Sequence, residues 1–345
     1  MEEEMKSLIK VGVSTIISVS YCYLLPPRIK SGVYRLVSII PVCALLFVLP
    51  LFFSFSILSS TSAFFLSAIA NSRLILFSFD QGPLFPLPSN LFRFACFTCF
   101  PIQRQQNPKS QYHFSTYVFA VKVAILVVLL YVHNDMTSLH PALLFCIHPL
   151  YLYLLLEILL TLFRILMTIV LGCDLEPHFY EPYLATSLQD FWGRRWNLIV
   201  SATLRACVYI PVRRACRRVL SSDHAMLIAV FGTFVVSAVA HEVVFFYITR
   251  EMPTGEVGSF FVLHGVCTVA EVAVKRTAFM RRWPVRPVVS WLLTMGFVNV
   301  TADWLFFPQL IRSNVMERCS NEISLIIDFF RRNLSPRLWL SNYLM

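Results

Sequence analysis

Charge is what this sequence most lacks. Of its 345 residues, 14% are Asp, Glu, Lys or Arg and 57% are hydrophobic. Soluble domains carry roughly 25% charged and about 45–50% apolar residues, so an ordinary soluble globular protein is excluded. Short alternating apolar stretches, the mark of a β-barrel, are missing too; the apolar runs approach twenty residues instead. No G-x-S-x-G elbow and no P-loop occur, which removes two common catalytic frameworks. The ten cysteines are scattered, and Cys96-Phe97-Thr98-Cys99 has no second pair at zinc spacing. They read as small packing hydrophobes, and no metal or other cofactor is signalled. A basic leader is absent as well: Glu2, Glu3 and Glu4 precede the first apolar run, which is therefore expected to be a retained span.

What is present is a series of long apolar runs. Only helices and closed barrels satisfy their backbone groups in lipid, and runs of this length select helices. The expected fold is all-α: a polytopic helical membrane protein with about eight transmembrane helices in a single integral domain, 1–345. The candidate spans are 8–25, 33–58, 61–79, 117–132, 141–171, 226–249, 257–274 and 288–307. Pro26-Pro27 ends the first, and Pro50 is expected to kink the second. An apolar island at 91–100 is too short to cross and is expected at the interface.

The net charge of +10 comes from 29 Lys and Arg against 19 Asp and Glu. The basic residues concentrate in loops 26–35, 80–116, 172–225 and 275–287. A positive-inside bias explains them without nucleic acid and makes those loops cytosolic.

Two stretches could carry chemistry. The first, Tyr183–Asn197, reads Y-L-A-T-S-L-Q-D-F-W-G-R-R-W-N and is too polar to span. Trp192 and Trp196 suit a membrane–water interface. Arg194 and Arg195 can bind phosphates or anchor the loop on headgroups, and Asn197 offers an amide donor and acceptor. The cluster Arg213, Arg214, Arg217 and Arg218 reads as a basic interfacial helix. The second stretch, Ser237-Ala238-Val239-Ala240-His241-Glu242, lies inside the run 226–249. His241 falls about 5 Å from the centre of that run, a depth at which ionisable groups are rare. Ser237 and Ala238 sit one turn before it and leave room for a substrate chain or a close helix. A neutral imidazole there can serve as a general base, or can hydrogen-bond a neighbouring helix and pack. Glu242 points elsewhere on the helix and can orient loop groups or pair with an arginine. Within other runs, Glu157 and Arg164 are expected to pair, Asn299 and Asp303 share a face, and His264 and Glu271 are expected to satisfy other helices.

Tyr183–Asn197 strongly resembles the signature loop of plant wax synthases, the long-chain-alcohol O-fatty-acyltransferases of the membrane-bound O-acyltransferase superfamily. Residues 237–242 resemble that superfamily's S-A-x-x-H-E signature. The resemblance implies a helical membrane fold in the endoplasmic reticulum whose chamber admits acyl-CoA from the cytosol and a lipid alcohol from the bilayer. It implies that His241 is the catalytic histidine and Asn197 its partner. Trp192, Arg194, Arg195, Trp196, Ser237 and Glu242 would be substrate-binding residues, with CoA as leaving group. The product would be a wax ester; a sterol acceptor is the alternative within the family. A lipid transporter or non-catalytic lipid-binding protein is the alternative from another class, but no paired halves with broken helices are visible.

Overall fold

The computed structural model describes residues 1–105, 115–133, 141–278, 282 and 285–339. Among the described residues the longer helices are, in chain order, α1 (Glu2–Leu24), α2 (Val33–Val48), α3 (Ser56–Ser78), α4 (Leu91–Cys99), α5 (Thr116–His133), α6 (Pro141–Leu171), α7 (198–216), α8 (Ser222–Thr249), α9 (Glu256–Lys275), α10 (Pro287–Arg312) and α11 (Val315–Trp339). Helices α3, α7 and α10 each contain a π-helical stretch, at Ala63–Ala70, Arg205–Tyr209 and Ala302–Phe306. Among the described residues the β pairing is confined to one isolated bridge, Arg104 with Leu175. Loops 80–116 and 275–287 fall partly outside the described residues.

Among the described residues, seven helical stretches are long and apolar enough to cross a membrane. This is a multi-pass helical membrane protein. The expected span 117–132 is helical and apolar, but its apolar stretch, Thr116–Tyr131, is shorter than the rest. At 1.5 Å per residue it covers about 24 Å, less than the roughly 30 Å of a hydrocarbon core.

The run 33–58 is not one kinked helix. α2 ends at Val48, a 3-10 turn covers Leu49–Phe52, and α3 starts at Ser56. Pro50 has no N–H to continue the ladder. The freed backbone groups find charged partners from distant elements. Arg250 donates to the carbonyls of Pro50 (3.2 Å) and Phe53 (2.6 Å). Ser54 N–H donates to Glu4 at 2.7 Å. Glu322 of α11 accepts from the N–H groups of Ser56 and Ile57 at 2.6 and 2.9 Å, and so caps α3. The chain stops and restarts because those side chains remove the cost of bare backbone.

Helices α1–α4 and the end of α6 enclose one apolar core around Ile39, Leu46, Leu74, Phe77 and Phe94. The island 91–100 is α4, which is docked into that core on one side, with Phe94 and Thr98 fully buried and Phe92 exposed. Arg73 fixes it there, its guanidinium donating to the carbonyls of Phe97, Phe100 and Ile102 at 2.7, 2.5 and 2.8 Å. Two of those carbonyls belong to the C-terminal turn of α4, so a cation meets the negative end of a helix. Glu157 takes Lys122 of α5 as its partner, at 2.6 Å, rather than Arg164. Arg164 donates to the Leu175 carbonyl at 3.4 Å. The i+7 spacing put Glu157 and Arg164 on one face, but a neighbouring helix supplied the closer cation. A second apolar cluster joins α8, α9 and α10 around Phe234, Phe245, Phe260, Phe261 and Phe307.

Candidate active site

The loop 183–197 closes on itself. Ser187 caps a single turn, accepting from Asp190 N–H at 3.0 Å, and the chain then widens into a π turn over Phe191–Arg195. Arg195 bonds Asp190 at 2.6 Å and donates to the Glu181 carbonyl at 3.2 Å. Backbone bonds from Tyr180 N–H to the Arg195 carbonyl (2.9 Å) and from Leu198 N–H to the His178 carbonyl (2.7 Å) shut its base. Asn197 stands at φ +40°, in the left-handed region that asparagine tolerates better than most residues. There its Oδ1 caps α7 through Val200 N–H at 3.3 Å. The loop is tied to α9 by Gln189 N–H on Glu271 (3.1 Å) and to α10 by Trp291 Nε1–H on the Tyr183 carbonyl (2.7 Å).

The aromatic residues divide the work. Trp196 stacks on Phe191 at 5.4 Å and packs against Phe179 and Tyr153. Trp192 turns inward, against Phe234, Phe260 and Phe261. Its indole N–H donates to Nδ1 of His264 at 3.0 Å. His264 is fully buried. Because Nδ1 accepts from the indole, the ring proton sits on Nε2, which donates to Thr301 Oγ1 at 2.7 Å. Thr301 in turn donates to the Phe297 carbonyl at 2.7 Å. Both nitrogens of His264 are therefore occupied, and a one-directional chain of bonds runs from the loop through α9 into α10. Sequence reasoning placed His264 as a residue satisfying another element but missed Thr301, for which no local pattern gives a signal.

His241 differs. α8 begins at Ser222, a turn earlier than the run 226–249, so His241 lies about 8 Å past the helix midpoint. Its Nδ1 stands 2.8 Å from the Ser237 carbonyl, which can only accept, and 3.4 Å from Ser237 Oγ. Nδ1 thus carries the proton of the neutral ring, and Nε2 holds a lone pair. Nε2 has no hydrogen-bond partner among the described residues, and the residue is half-buried. The imidazole lies stacked on Phe261 at 3.9 Å, and Phe306 closes a further side at 6.4 Å. Phe261 therefore stands between His241 and Trp192, so one ring separates the loop's tryptophan from the histidine. No hydrogen bond joins Asn197 to His241 among the described residues, and no described partner uses the Asn197 amide N–H groups.

Close approach of α8 and α9 makes this arrangement possible. A Cβ on Gly265 would fall 2.7 Å from Phe234 Cβ, so only glycine fits beside His264. Glu242 accepts from Gly258 N–H at 2.7 Å, fastening the first turn of α9, while its Oε2 is buried without a partner. Of the loop arginines, Arg195 is committed to the loop's own groups, whereas Arg194 is exposed. Next to the loop, His178 donates from Nε2 to the Pro101 carbonyl at 2.7 Å. Burial holds its pKa down, from 6.5 to about 4, so it is neutral at physiological pH. No group of three or more His, Cys, Asp or Glu arranged to hold a metal occurs among the described residues.

Residues 175–263, which carry both the loop and the histidine helix, match the model of the membrane bound O-acyl transferase family. The chain is 82% identical over 334 residues to the Arabidopsis thaliana protein named Probable long-chain-alcohol O-fatty-acyltransferase 7, an alignment covering 97% of this chain and 98% of the relative. Against Probable long-chain-alcohol O-fatty-acyltransferase 8 of the same plant it is 60% identical, over 97% of this chain and 99% of the relative. Against Probable long-chain-alcohol O-fatty-acyltransferase 3 it is 59% identical, over 96% and 97%.

Proposed function

We propose, for a chain that belongs to the plant long-chain-alcohol O-fatty-acyltransferases, that it moves a long-chain acyl group from acyl-CoA to a fatty alcohol in the endoplasmic reticulum membrane. The relatives' names supply the reaction class. The observation that carries the assignment to residues is the half-buried His241 ring, with Nδ1–H held by the Ser237 carbonyl and Nε2 without a partner among the described residues.

On this reading Nε2 of His241 takes the hydroxyl proton as the alcohol oxygen attacks the thioester carbonyl carbon. The C–O bond forms, the C–S bond then breaks, and the CoA thiolate leaves with the proton returned by the imidazolium. The products are wax ester and CoA. The Ser237 carbonyl stabilises the imidazolium by keeping Nδ1–H as donor, and the Phe261 stack holds the ring plane. The Asn197 amide serves as donor to the carbonyl oxygen, where charge develops. Trp192 positions Phe261 from behind and is itself fixed by His264. Arg194 meets acyl-CoA at the cytosolic mouth. Residues 1–345 act as one integral unit, since Arg250 at the end of the histidine helix and Glu322 of α11 both bind the α2–α3 break.

The test is a microsomal assay with labelled palmitoyl-CoA, with a fatty alcohol, a sterol and diacylglycerol in competition. Labelled wax ester as the main product is expected. Steryl ester would keep the chemistry and replace the acceptor. No ester with any acceptor from well-inserted protein would reject the enzyme reading in favour of lipid binding alone.

A further inference from the structure

Four arginine guanidinium groups, those of Arg205, Arg213 and Arg214 on α7 and of Arg217 just past its end, have neither a carboxylate nor a hydrogen-bond partner among the described residues. No acidic residue occurs between Asp190, which takes Arg195, and Asp223, which takes Arg276. Arg205, Tyr209, Arg213 and Arg217 recur at every fourth position and so share one helical face over about 18 Å. An open cleft of about 380 Å³ runs along that face, lined by these four residues with Ile210 and Arg214. The Tyr209 ring has the Arg205 and Arg213 guanidinium groups each 5.9 Å from its centre. Nε of Arg213 is buried without a partner, an unmade bond that a ligand oxygen would complete.

Like charges crowded on one face repel unless an anion sits among them. Guanidinium forks converging on one cleft match a group with several anionic oxygens, which is the chemistry of phosphate. The position is telling as well. α7 starts at Asn197 and packs on α8 beside Gly232, where an added Cβ would lie 3.7 Å from Val208 and 4.0 Å from Val212. His241 stands nine residues farther along α8, about 14 Å away by helical rise, within reach of an extended pantetheine arm.

We propose that this cleft binds phosphate groups, and that its ligand is the phosphate-bearing end of the acyl-CoA donor, with the 3′-phosphate as the chief contact. The identity of the ligand rests on the acyl-CoA reading above. An anionic phospholipid headgroup offers the same chemistry, so the test separates the two sources.

Purified full-length protein in phosphatidylcholine nanodiscs is titrated with CoA and with 3′-dephospho-CoA, as wild type, Arg205→Gln/Arg213→Gln, and the exposed rim variant Arg217→Gln. Arg28→Gln, exposed and not part of the cleft lining, controls for lost charge. Wild type is expected to bind CoA at least about tenfold more tightly than 3′-dephospho-CoA, and the double variant to lose that preference with an unchanged melting temperature. Arg217→Gln is expected to lose part of it, about threefold, which keeps the test decisive if the double variant is poorly folded. A second set of nanodiscs contains phosphatidic acid. Unchanged CoA binding together with stabilisation by phosphatidic acid in wild type, lost in the variants, supports the phosphate site with lipid as its ligand. Variants equal to wild type with both probes overturn the cleft, whatever the ester assay reports. CoA binding without ester from any acceptor overturns the proposed reaction and leaves the cleft standing.

Discussion

In the bundle of α1–α4 the buried cations are saturated, whereas around α7 and α8 the polar groups keep unused valences. Arg73 spends its donors on three carbonyls, and Arg35 reaches the carbonyls of Ile29 and Phe77 and the Asp80 carboxylate. That carboxyl is held below the usual carboxylate range by its hydrogen bond from Arg35. Around α7 and α8, His241 keeps Nε2 free and four arginines stand without acids. The two histidines repeat the contrast on the neighbouring helices α8 and α9: His264 is closed on both nitrogens, His241 on one. Saturated polar groups hold a fold, because leaving any one of them bare is costly. A group with a free lone pair in an accessible space is available for a substrate.

The sharpest way to break this contrast is His241→Ala. On the proposed roles it lowers ester formation by at least about a hundredfold, the usual reach of a general base, without disturbing insertion. Labelled-ester assays beside a membrane-extraction control read both quantities, and near-normal turnover would remove His241 from the mechanism. Arg73→Met is the counterpart in the bundle. It strands three carbonyls and costs about 3 kcal/mol or more, so it is expected to lower the melting temperature and yield in detergent before it affects turnover per folded molecule. His264→Phe tests the link between the two regimes. It leaves the Trp192 N–H bare, and kcat is expected to fall about tenfold while KM for the acyl donor shifts by no more than about twofold. His264→Gln, which can accept from Trp192 and donate to Thr301, should recover part of kcat; equal loss in both variants would reduce His264 to packing.

The smallest expected effect is that of pH through His178. Its folded pKa of about 4 lies below the unfolded 6.5. Between these values the unfolded chain binds a proton that the folded chain refuses. The stability this group permits is complete above about pH 6.5 and declines as pH falls toward about 4. Melting temperatures across that window show the slope, and His178→Gln, which keeps a donor for the Pro101 carbonyl, is expected to flatten it.

Much of this was legible in the sequence, for identifiable reasons. The run 141–171 is helical over the same residues, because twenty or more apolar residues in lipid have few alternatives. The loop 183–197 and the motif around His241 stood out because polar and aromatic groups interrupt an apolar chain. The break at Pro50–Phe55 was not legible, since it depends on Glu4, Arg250 and Glu322 arriving from three other elements. The partner of Glu157 was read as Arg164 on its own helix, yet Lys122 came from the next one. α11 carries no span signal in the sequence: it is too polar, and its role shows only where Glu322 meets α3 and Arg318 meets the Ile248 carbonyl of α8.

The sequence by itself determined a helical membrane protein and the two motifs that place it among acyltransferases, because apolar length and motif order are properties of the chain read locally. Which histidine keeps a lone pair was decided only by the tertiary structure. A ring's tautomer is set by the atoms that face its nitrogens. Here those atoms come from Ser237 one turn away on the same helix, and from Trp192 and Thr301 on other elements.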